Sequence, residues 1–182
     1  MVHRWKQLKS IKRGHFRIFD VTEDFYQHPG VPGQRSYFVM RTSAWVTVLA
    51  LTAAKEVILV RQFRPGVGQV RLELPGGVID PGEDPATAAA RELREETGYV
   101  GDPPVLLGTV EPNPALQDNL CHAFLIDNAR QTHPQDPDPD EIIEVECLPL
   151  ADVTQAMNDG RLPHGLHQLA VLRYLLLQRD RS

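Results

Sequence analysis

The sequence has few cysteines, no long apolar stretch and no excess of positive charge. Its two cysteines, Cys121 and Cys147, are far apart and lack CxxC spacing, which argues against a structural zinc site. We expect both to pack as small apolar residues in a reducing compartment. No apolar run approaches the length of a membrane span, so no membrane partner is expected. A net charge of −5 argues against nucleic acid as a partner, because binding to phosphates depends on Lys and Arg.

The composition is ordinary for a soluble globular protein, with 42% hydrophobic and 24% charged residues. A chain of 182 residues corresponds by size to one domain with a sizeable core. Residues 1–16 are basic but lack the apolar segment of a secretory signal. By default we expect a cytoplasmic location.

Residues 86–97 contain no Gly or Pro and predict a helix. Asp84 is a suitable N-cap, Pro85 suits the first helical position, and Gly98 follows the end. At about 100° per residue, one side of this helix is apolar and another side is acidic. The apolar side holds Ala86, Ala89, Ala90, Leu93 and Thr97, and the acidic side holds Glu92, Glu95 and Glu96.

Three carboxylates within about one turn repel each other, so a cation is expected to offset them. Arg91 and Arg94 would suffice if this were only a solvated, salt-bridged face. The preceding sequence favours a metal ion, because LPGG at residues 74–77 forms a tight loop and Glu83 adds a fourth acid. A hard divalent cation takes oxygen ligands from carboxylates, backbone carbonyls and water.

The glycine and charged positions of residues 77–99 stand at the spacing of the Nudix box, and the segment resembles that signature of the Nudix hydrolases. Tyr99 departs from the pattern, because the family normally has an aliphatic residue there. The matching positions are Gly77, Glu83, Arg91, Glu92, Leu93, Glu95, Glu96 and Gly98.

The resemblance implies Mg²⁺, or Mn²⁺, as the cofactor, which suits a ligand set made only of oxygens. It implies that Glu92 and Glu96 are direct ligands and that the backbone carbonyl of Gly76 completes the set. Glu95 would help to ligate the metal or hold a bound water, and Arg91 would orient a carboxylate. Glu83 would cap or support the helix, and a role in binding the metal stays open as the alternative.

The resemblance also implies an α/β (α+β) fold, a Nudix-type α/β/α sandwich with a mixed β-sheet and an N-terminal antiparallel β-sheet extension. We expect a strand-rich extension over residues 1–42 that forms a homodimer, and a Nudix hydrolase domain over residues 43–182. Six basic residues precede the first acid, Asp20. They are either a solvated face or part of an arm that reaches over an anionic substrate.

Apolar runs rich in β-branched residues predict strands at residues 45–50, 56–62, 105–110 and 121–126, the first two as a hairpin or as adjacent strands. A strand around residues 143–147 is followed by helices at 151–158 and 163–179. The last helix is predicted to bury a stripe of Leu166, Leu169, Ala170, Leu172, Leu175 and Leu176.

Within the family, three residues indicate the ADP-ribose and nucleoside-diphosphate-sugar branch. Pro114 stands where that branch has a proline, Glu73 where it has a Glu before the box, and Arg64 resembles an Arg that contacts substrate. From spacing alone, Glu73 is instead a surface charge opposite Arg71. Three aromatic residues could either stack on the base of a substrate or simply pack in the core: Trp45, Tyr37 and Phe38.

The expected reaction is hydrolysis of ADP-ribose, or a related small nucleotide sugar, to a nucleoside monophosphate and a sugar phosphate. The candidate catalytic residues are Glu95, Glu96 and Arg91 in the box and Glu141 downstream, with Glu144 as second choice for a downstream general base. Two alternatives stay open. One is a Nudix hydrolase that acts on a nucleoside triphosphate or capped RNA, and the other is a non-catalytic module that binds a nucleotide.

Overall fold

A computed structural model describes residues 3–139 and 141–180 of the chain. The chain forms two compact units. Unit 1 comprises Met1–Ala44 and Glu111–Leu120, and unit 2 comprises Trp45–Val110 and Cys121–Ser182. No helix in the described part of the chain is both long and apolar enough to cross a membrane.

Unit 1 contains an antiparallel sheet of three strands, β1 (Lys6–His15), β2 (Phe19–Gln27) and β3 (Gln34–Thr42), in that order. The strand β1 lies in the basic segment for which the sequence predicted no defined strand. Asp24, in the middle strand, is completely buried and accepts hydrogen bonds from Ser10 and Arg41.

Residues 111–120 are held against β3. Arg41 donates a second hydrogen bond to Asp118, over 2.8 Å, and the Met40 N–H donates to the Leu116 carbonyl over 2.7 Å. This segment follows a core strand of unit 2, yet it belongs to unit 1. A division of the chain at a single position therefore cannot describe both units.

Unit 2 is built on a seven-stranded mixed sheet in which β4 and β9 are parallel and the other pairs are antiparallel. Its strand order is β10-β5-β4-β9-β7, with β6 paired to β5 and β8 paired to β9. The strands are β4 (Trp45–Thr52), β5 (Glu56–Arg64), β6 (Gln69–Glu73), β7 (Tyr99–Val100), β8 (Val105–Val110), β9 (Cys121–Gln131) and β10 (Ile143–Pro149).

Three helices cover the two faces of this sheet: α1 (Pro85–Thr97), α2 (Leu150–Asn158) and α3 (Gly165–Arg179). The side chains of β4 alternate between the faces, as the two-residue period of a strand requires. Val46 and Val48 pack in a cluster with Leu93 of α1, whereas Leu49 and Leu51 pack with residues of α2 and α3. The predicted α/β/α sandwich and the β4–β5 hairpin are confirmed.

The helix α1 has the predicted ends. The Asp84 side chain accepts hydrogen bonds from the Ala86 and Thr87 N–H groups, and Pro85 occupies the first helical position. Gly98 adopts a left-handed conformation with φ 76°, and its N–H donates to the Arg94 carbonyl over 2.8 Å. Glycine suits this position because a left-handed conformation costs it little.

The buried faces of α1 and α3 differ from the sequence prediction. In α1, Ala90 of the predicted apolar side is exposed, and Glu96 of the predicted acidic side is buried. In α3 the buried residues are His167, Ala170, Val171 and Tyr174, whereas Leu172 and Leu176 of the predicted stripe are half exposed. The buried face of α3 is therefore rotated relative to the predicted stripe, and it includes His167.

Candidate active site

Between β6 and α1 the chain makes a turn over residues 74–77, whose backbone is held by other elements. From β4, the Val48 N–H donates to the Pro75 carbonyl over 2.8 Å, and the Val46 N–H donates to the Gly77 carbonyl over 2.9 Å. From α1, Glu96 Oε2 accepts from the Gly76 N–H over 2.9 Å. These bonds join the glycine turn directly to the acidic helix.

Close approach explains both glycines of this turn. A Cβ on Gly76 would lie 2.2 Å from the backbone oxygen of Val46, and a Cβ on Gly77 would lie 2.5 Å from Glu92 Oε1. The first contact is with a strand backbone and the second with the end of a side chain. Only glycine lets β4 and the Glu92 carboxylate come this close to the turn.

Glu96 and Glu92 are carboxylates in an environment that opposes their charge. Burial, together with the neighbouring charges of Glu92 and Glu141, raises the pKa of Glu96 to about 8, against the lowering effect of the Gly76 N–H. Burial also raises the pKa of Glu92 to about 7, although Arg91 opposes the shift. A buried acid beside a partly buried one favours a nearby positive charge, because a cation would stabilise both ionised carboxylates.

The Arg91 guanidinium holds the outer carboxylates of the helix together. Its Nε and Nη2 each donate over 2.9 Å to the Glu83 carboxylate, so the bidentate partner is Glu83. Its Nη1 donates to Glu92 over 2.9 Å and to Glu95 over 3.1 Å. These contacts raise the Arg91 pKa above its ordinary value, which keeps the guanidinium charged. Arg94 adds a contact of 3.1 Å to Glu95.

The donor set fits a divalent cation that takes few protein ligands. Glu96 is bonded to a backbone N–H, and it has a raised pKa next to a second acid. Within residues 3–139 and 141–180, no group of three or more His, Cys, Asp or Glu side chains is arranged to hold a metal. A divalent cation can bind through one or two carboxylates together with water, and Glu92 and Glu96 could supply those carboxylates.

Arg64 and Glu73 form an ion pair at the end of β5 and β6. Arg64 Nε lies 3.0 Å, and Nη2 2.5 Å, from Glu73 Oε2, and the Glu73 side chain is only 1% exposed. The prediction that Glu73 is a surface charge opposite Arg71 is therefore wrong. The ion pair raises the pKa of Arg64, while 42% of the Arg64 side chain stays accessible.

The remaining predicted site residues are more scattered. Trp45 begins β4, is partly buried, and forms a β-bridge with Val78. Glu141 is exposed, and its charge contributes to the raised pKa values of Glu92 and Glu96. Glu144 is exposed on β10. Pro114 is exposed in unit 1, inside a turn in which the Gln117 N–H donates to the Asn113 carbonyl over 2.8 Å.

One cavity of about 520 Å³ lies in unit 1, lined by Arg4, Lys6 and the β2–β3 connection. None of the predicted site residues lines it. This cavity therefore does not mark the candidate active site, which is defined by the carboxylates of unit 2.

Sequence reasoning did not single out two histidines of unit 2. His167 is 7% exposed, and its Nδ1 accepts a hydrogen bond from the Leu74 N–H over 3.1 Å. His164 stacks on His167 with ring centroids 4.2 Å apart. An isolated histidine in an apolar helix carries no signal in the sequence, since the contact joins residues 93 positions apart.

Residues 40–169 match the NUDIX domain family. The match covers most of the chain, so the chain belongs to the Nudix family, and the membership predicted from residues 77–99 is confirmed.

Two relatives and one solved structure illustrate the similarity. The chain is 28% identical to the ADP-ribose pyrophosphatase of Bacillus subtilis over 89% of its own length and 87% of that protein. It is 40% identical to the ADP-sugar pyrophosphatase of Mus musculus over 59% of its own length and 52% of that protein. A crystal structure of an ADP compounds hydrolase matches with a TM-score of 0.88 at 20% identity, covering 100% of this chain and 98% of that one, which shows the shared fold.

Proposed function

We propose that this protein hydrolyses the diphosphate of ADP-ribose, or of a related nucleoside diphosphate sugar, to a nucleoside monophosphate and a sugar phosphate. The observation that carries the proposal is the buried Glu96 beside the partly buried Glu92, against the glycine turn of a Nudix domain. The names of the Bacillus and mouse relatives support the substrate class.

Nudix proteins generally use divalent metal ions, and we propose Mg²⁺, or Mn²⁺, for this one. Glu92, Glu96 and the Gly76 carbonyl would hold it, with Glu95 in support. When bound, such a cation neutralises an anionic diphosphate and activates water as a nucleophile. Arg91 keeps Glu92 and Glu95 in place through its hydrogen bonds.

The Arg64–Glu73 pair is proposed to bind the substrate. Glu73 engages Nε and Nη2 of the guanidinium, which fixes its plane while the side chain stays 42% exposed. A fixed, exposed guanidinium suits recognition of a phosphate. Trp45 and Pro114 are proposed as further substrate contacts, and Glu141 as the downstream general base. Its negative charge is close enough to raise the pKa of both box acids.

A panel of sugar nucleotides with product identification tests the proposal. With Mg²⁺ and ADP-ribose, purified protein should release AMP, and Glu96→Gln should lose most of this activity. Asp152→Asn is the matched control, because it neutralises an exposed acid on α2 that is not among the candidate site residues. Pyrophosphate release from nucleoside triphosphates would favour the triphosphate alternative. Wild-type protein that turned over nothing on a broad nucleotide panel would leave only the binding module.

We also propose a homodimer formed through the N-terminal strands. Unit 1 exposes several large apolar side chains, and a three-stranded sheet has little capacity to bury them by itself. They are Leu8, Phe16, Ile18, Tyr37 and Phe38, each 44–72% exposed. Light scattering should give the mass of two chains, and removal of residues 1–40 should abolish both assembly and activity. A monomer mass for the full chain would rule the dimer out. The cytoplasmic location stays a prediction.

A further inference from the structure

A histidine of the C-terminal helix reaches the turn that precedes the acidic helix. His167, near the start of α3, is 7% exposed, and its Nδ1 accepts from the Leu74 N–H over 3.1 Å. Leu74 is itself 1% exposed and directly follows β6. The bond therefore holds the chain at the residue where β6 ends and the turn begins.

The turn has few backbone donors. Pro75 has no N–H group, so Leu74 and Gly76 provide the donors on either side of it. The Gly76 N–H donates to Glu96 over 2.9 Å, and the Leu74 N–H donates to His167. Without the imidazole acceptor, a buried N–H would lose its partner, which is costly wherever water cannot replace it. A shift of Leu74 that regained a partner would carry Gly76, two residues on, away from Glu96.

The His167 ring is well fixed for this role. The ring stacks on the His164 ring with centroids 4.2 Å apart and an interplanar angle of 14°. The backbone N–H of His167 donates to the His164 carbonyl over 3.1 Å. His164 Nδ1 in turn accepts from the Leu166 N–H and caps α3. Burial lowers the pKa of His167 well below its ordinary value, so the ring is neutral at pH 7 and Nδ1 is free to accept.

We propose that His167 is a positioning residue that fixes the turn at residues 74–77, and thereby places the Gly76 backbone and the Glu96 carboxylate for the cation and diphosphate. This inference rests on the proposed function. The simpler alternative is a histidine that only fills the core between α3 and β6.

Two amide substitutions separate these roles. In His167→Asn the side-chain oxygen can occupy the position of Nδ1, whereas in His167→Gln the amide reaches the position of Nε2 and leaves the Leu74 N–H without an acceptor. Val171→Ala, also buried on α3, removes core packing without touching the turn. Three measurements apply to each variant: the affinity for Mn²⁺ alone by electron paramagnetic resonance, hydrogen exchange of the Leu74 amide, and kcat and KM with ADP-ribose.

We expect His167→Gln to weaken Mn²⁺ binding about tenfold or more and to speed exchange at Leu74, because supporting contacts of this kind affect metal affinity 10- to 100-fold. His167→Asn should recover most of both properties, and Val171→Ala should leave both close to wild type while lowering Tm. Equal losses in the Asn and Gln variants, or a loss as large in Val171→Ala, would overturn the positioning role.

A measurement on the wild-type protein covers the case in which the variants fail to fold. The ¹⁵N spectrum of His167 should show an unprotonated Nδ1 coupled across the hydrogen bond to the Leu74 amide. A protonated Nδ1 would overturn the inference. Because the Mn²⁺ and amide measurements need no turnover, failure of the ADP-ribose assay alone would count against the proposed function and not against His167.

Discussion

The burial of Glu96 has a consequence for stability that can be measured without substrate. Its pKa is about 8 in the folded protein, against an ordinary value of 4.5. Between pH 6.5 and 8 the unfolded chain has released this proton and the folded protein still holds it. The free energy of unfolding of metal-free protein therefore falls by about 1.36 kcal/mol per pH unit, or about 2 kcal/mol across this interval. Glu92, with a pKa of about 7, adds a smaller loss of the same sign.

Glu96→Gln isolates the contribution of this one carboxylate. Glutamine is neutral at every pH, and its side-chain oxygen can still accept from the Gly76 N–H, which donates to Glu96 over 2.9 Å. The advantage in stability of Glu96→Gln over wild type should grow by about 2 kcal/mol between pH 6.5 and 9, or about 4–8 °C in Tm for a protein of this size. The measurement is thermal and urea unfolding of both proteins in a metal chelator at several pH values.

The chosen pH range avoids the histidines, whose effect has the opposite sign. Burial lowers the pKa of His164 and His167, so their stabilising contribution is lost only as pH falls below about 6.5. Asp152→Asn, at an exposed acid on α2, should parallel wild type throughout. Parallel pH profiles for wild type and Glu96→Gln would refute the argument, because they would mean that Glu96 is ionised in the fold at no cost.

Two further predictions concern the glycine turn and the ion pair beside it. Gly77→Ala should retain the fold and weaken Mn²⁺ binding, because its Cβ would displace the end of the Glu92 side chain. Gly76→Ala should lower the free energy of unfolding in urea by about 3 kcal/mol, because its Cβ would lie 2.2 Å from the Val46 backbone oxygen. A larger loss of stability in Gly77→Ala than in Gly76→Ala would contradict the geometry. Glu73→Gln should lower the free energy of unfolding by about 2 kcal/mol, less than for a fully buried ion pair because the Arg64 side chain is 42% exposed. It should also raise KM for ADP-ribose more than it lowers kcat. Unchanged stability and KM would show that the Arg64–Glu73 pair holds neither the fold nor the substrate.

Local signals were predictable from the sequence because they act between neighbours in the chain. The caps of α1 at Asp84 and Gly98 depend on residues within the same turn, and the structure reproduces both. Strand predictions at β4, β5 and β8 succeeded for the same reason, since branched apolar runs fit a buried pleated strand wherever it pairs.

Burial of polar side chains was not predictable, because it depends on partners far along the chain. The sequence predicted Glu96 on the acidic side of α1 but not its burial, which depends on the turn at residues 74–77. From its spacing Glu73 resembles a surface charge. In the fold it is buried and forms an ion pair with Arg64, nine residues earlier. Nothing in the sequence around His167 indicated a role, because that role depends on its hydrogen bond to the distant Leu74 N–H.

The distribution of positive charge around α1 is consistent with the position that we propose for the cation. Arg91 bonds to Glu83, Glu92 and Glu95, and Arg94 bonds to Glu95. The guanidinium of Arg64 lowers the pKa of Glu96 from a distance, but its hydrogen bonds go to Glu73. In the described part of the chain, Glu96 is thus the box carboxylate with no ion-pair partner, and it is also the most buried of them. The arginines thus bond to the outer acids and leave Glu96 without an ion-pair partner beside the Gly76 backbone, where we propose the metal. Without a metal, burial favours the protonated form of Glu96.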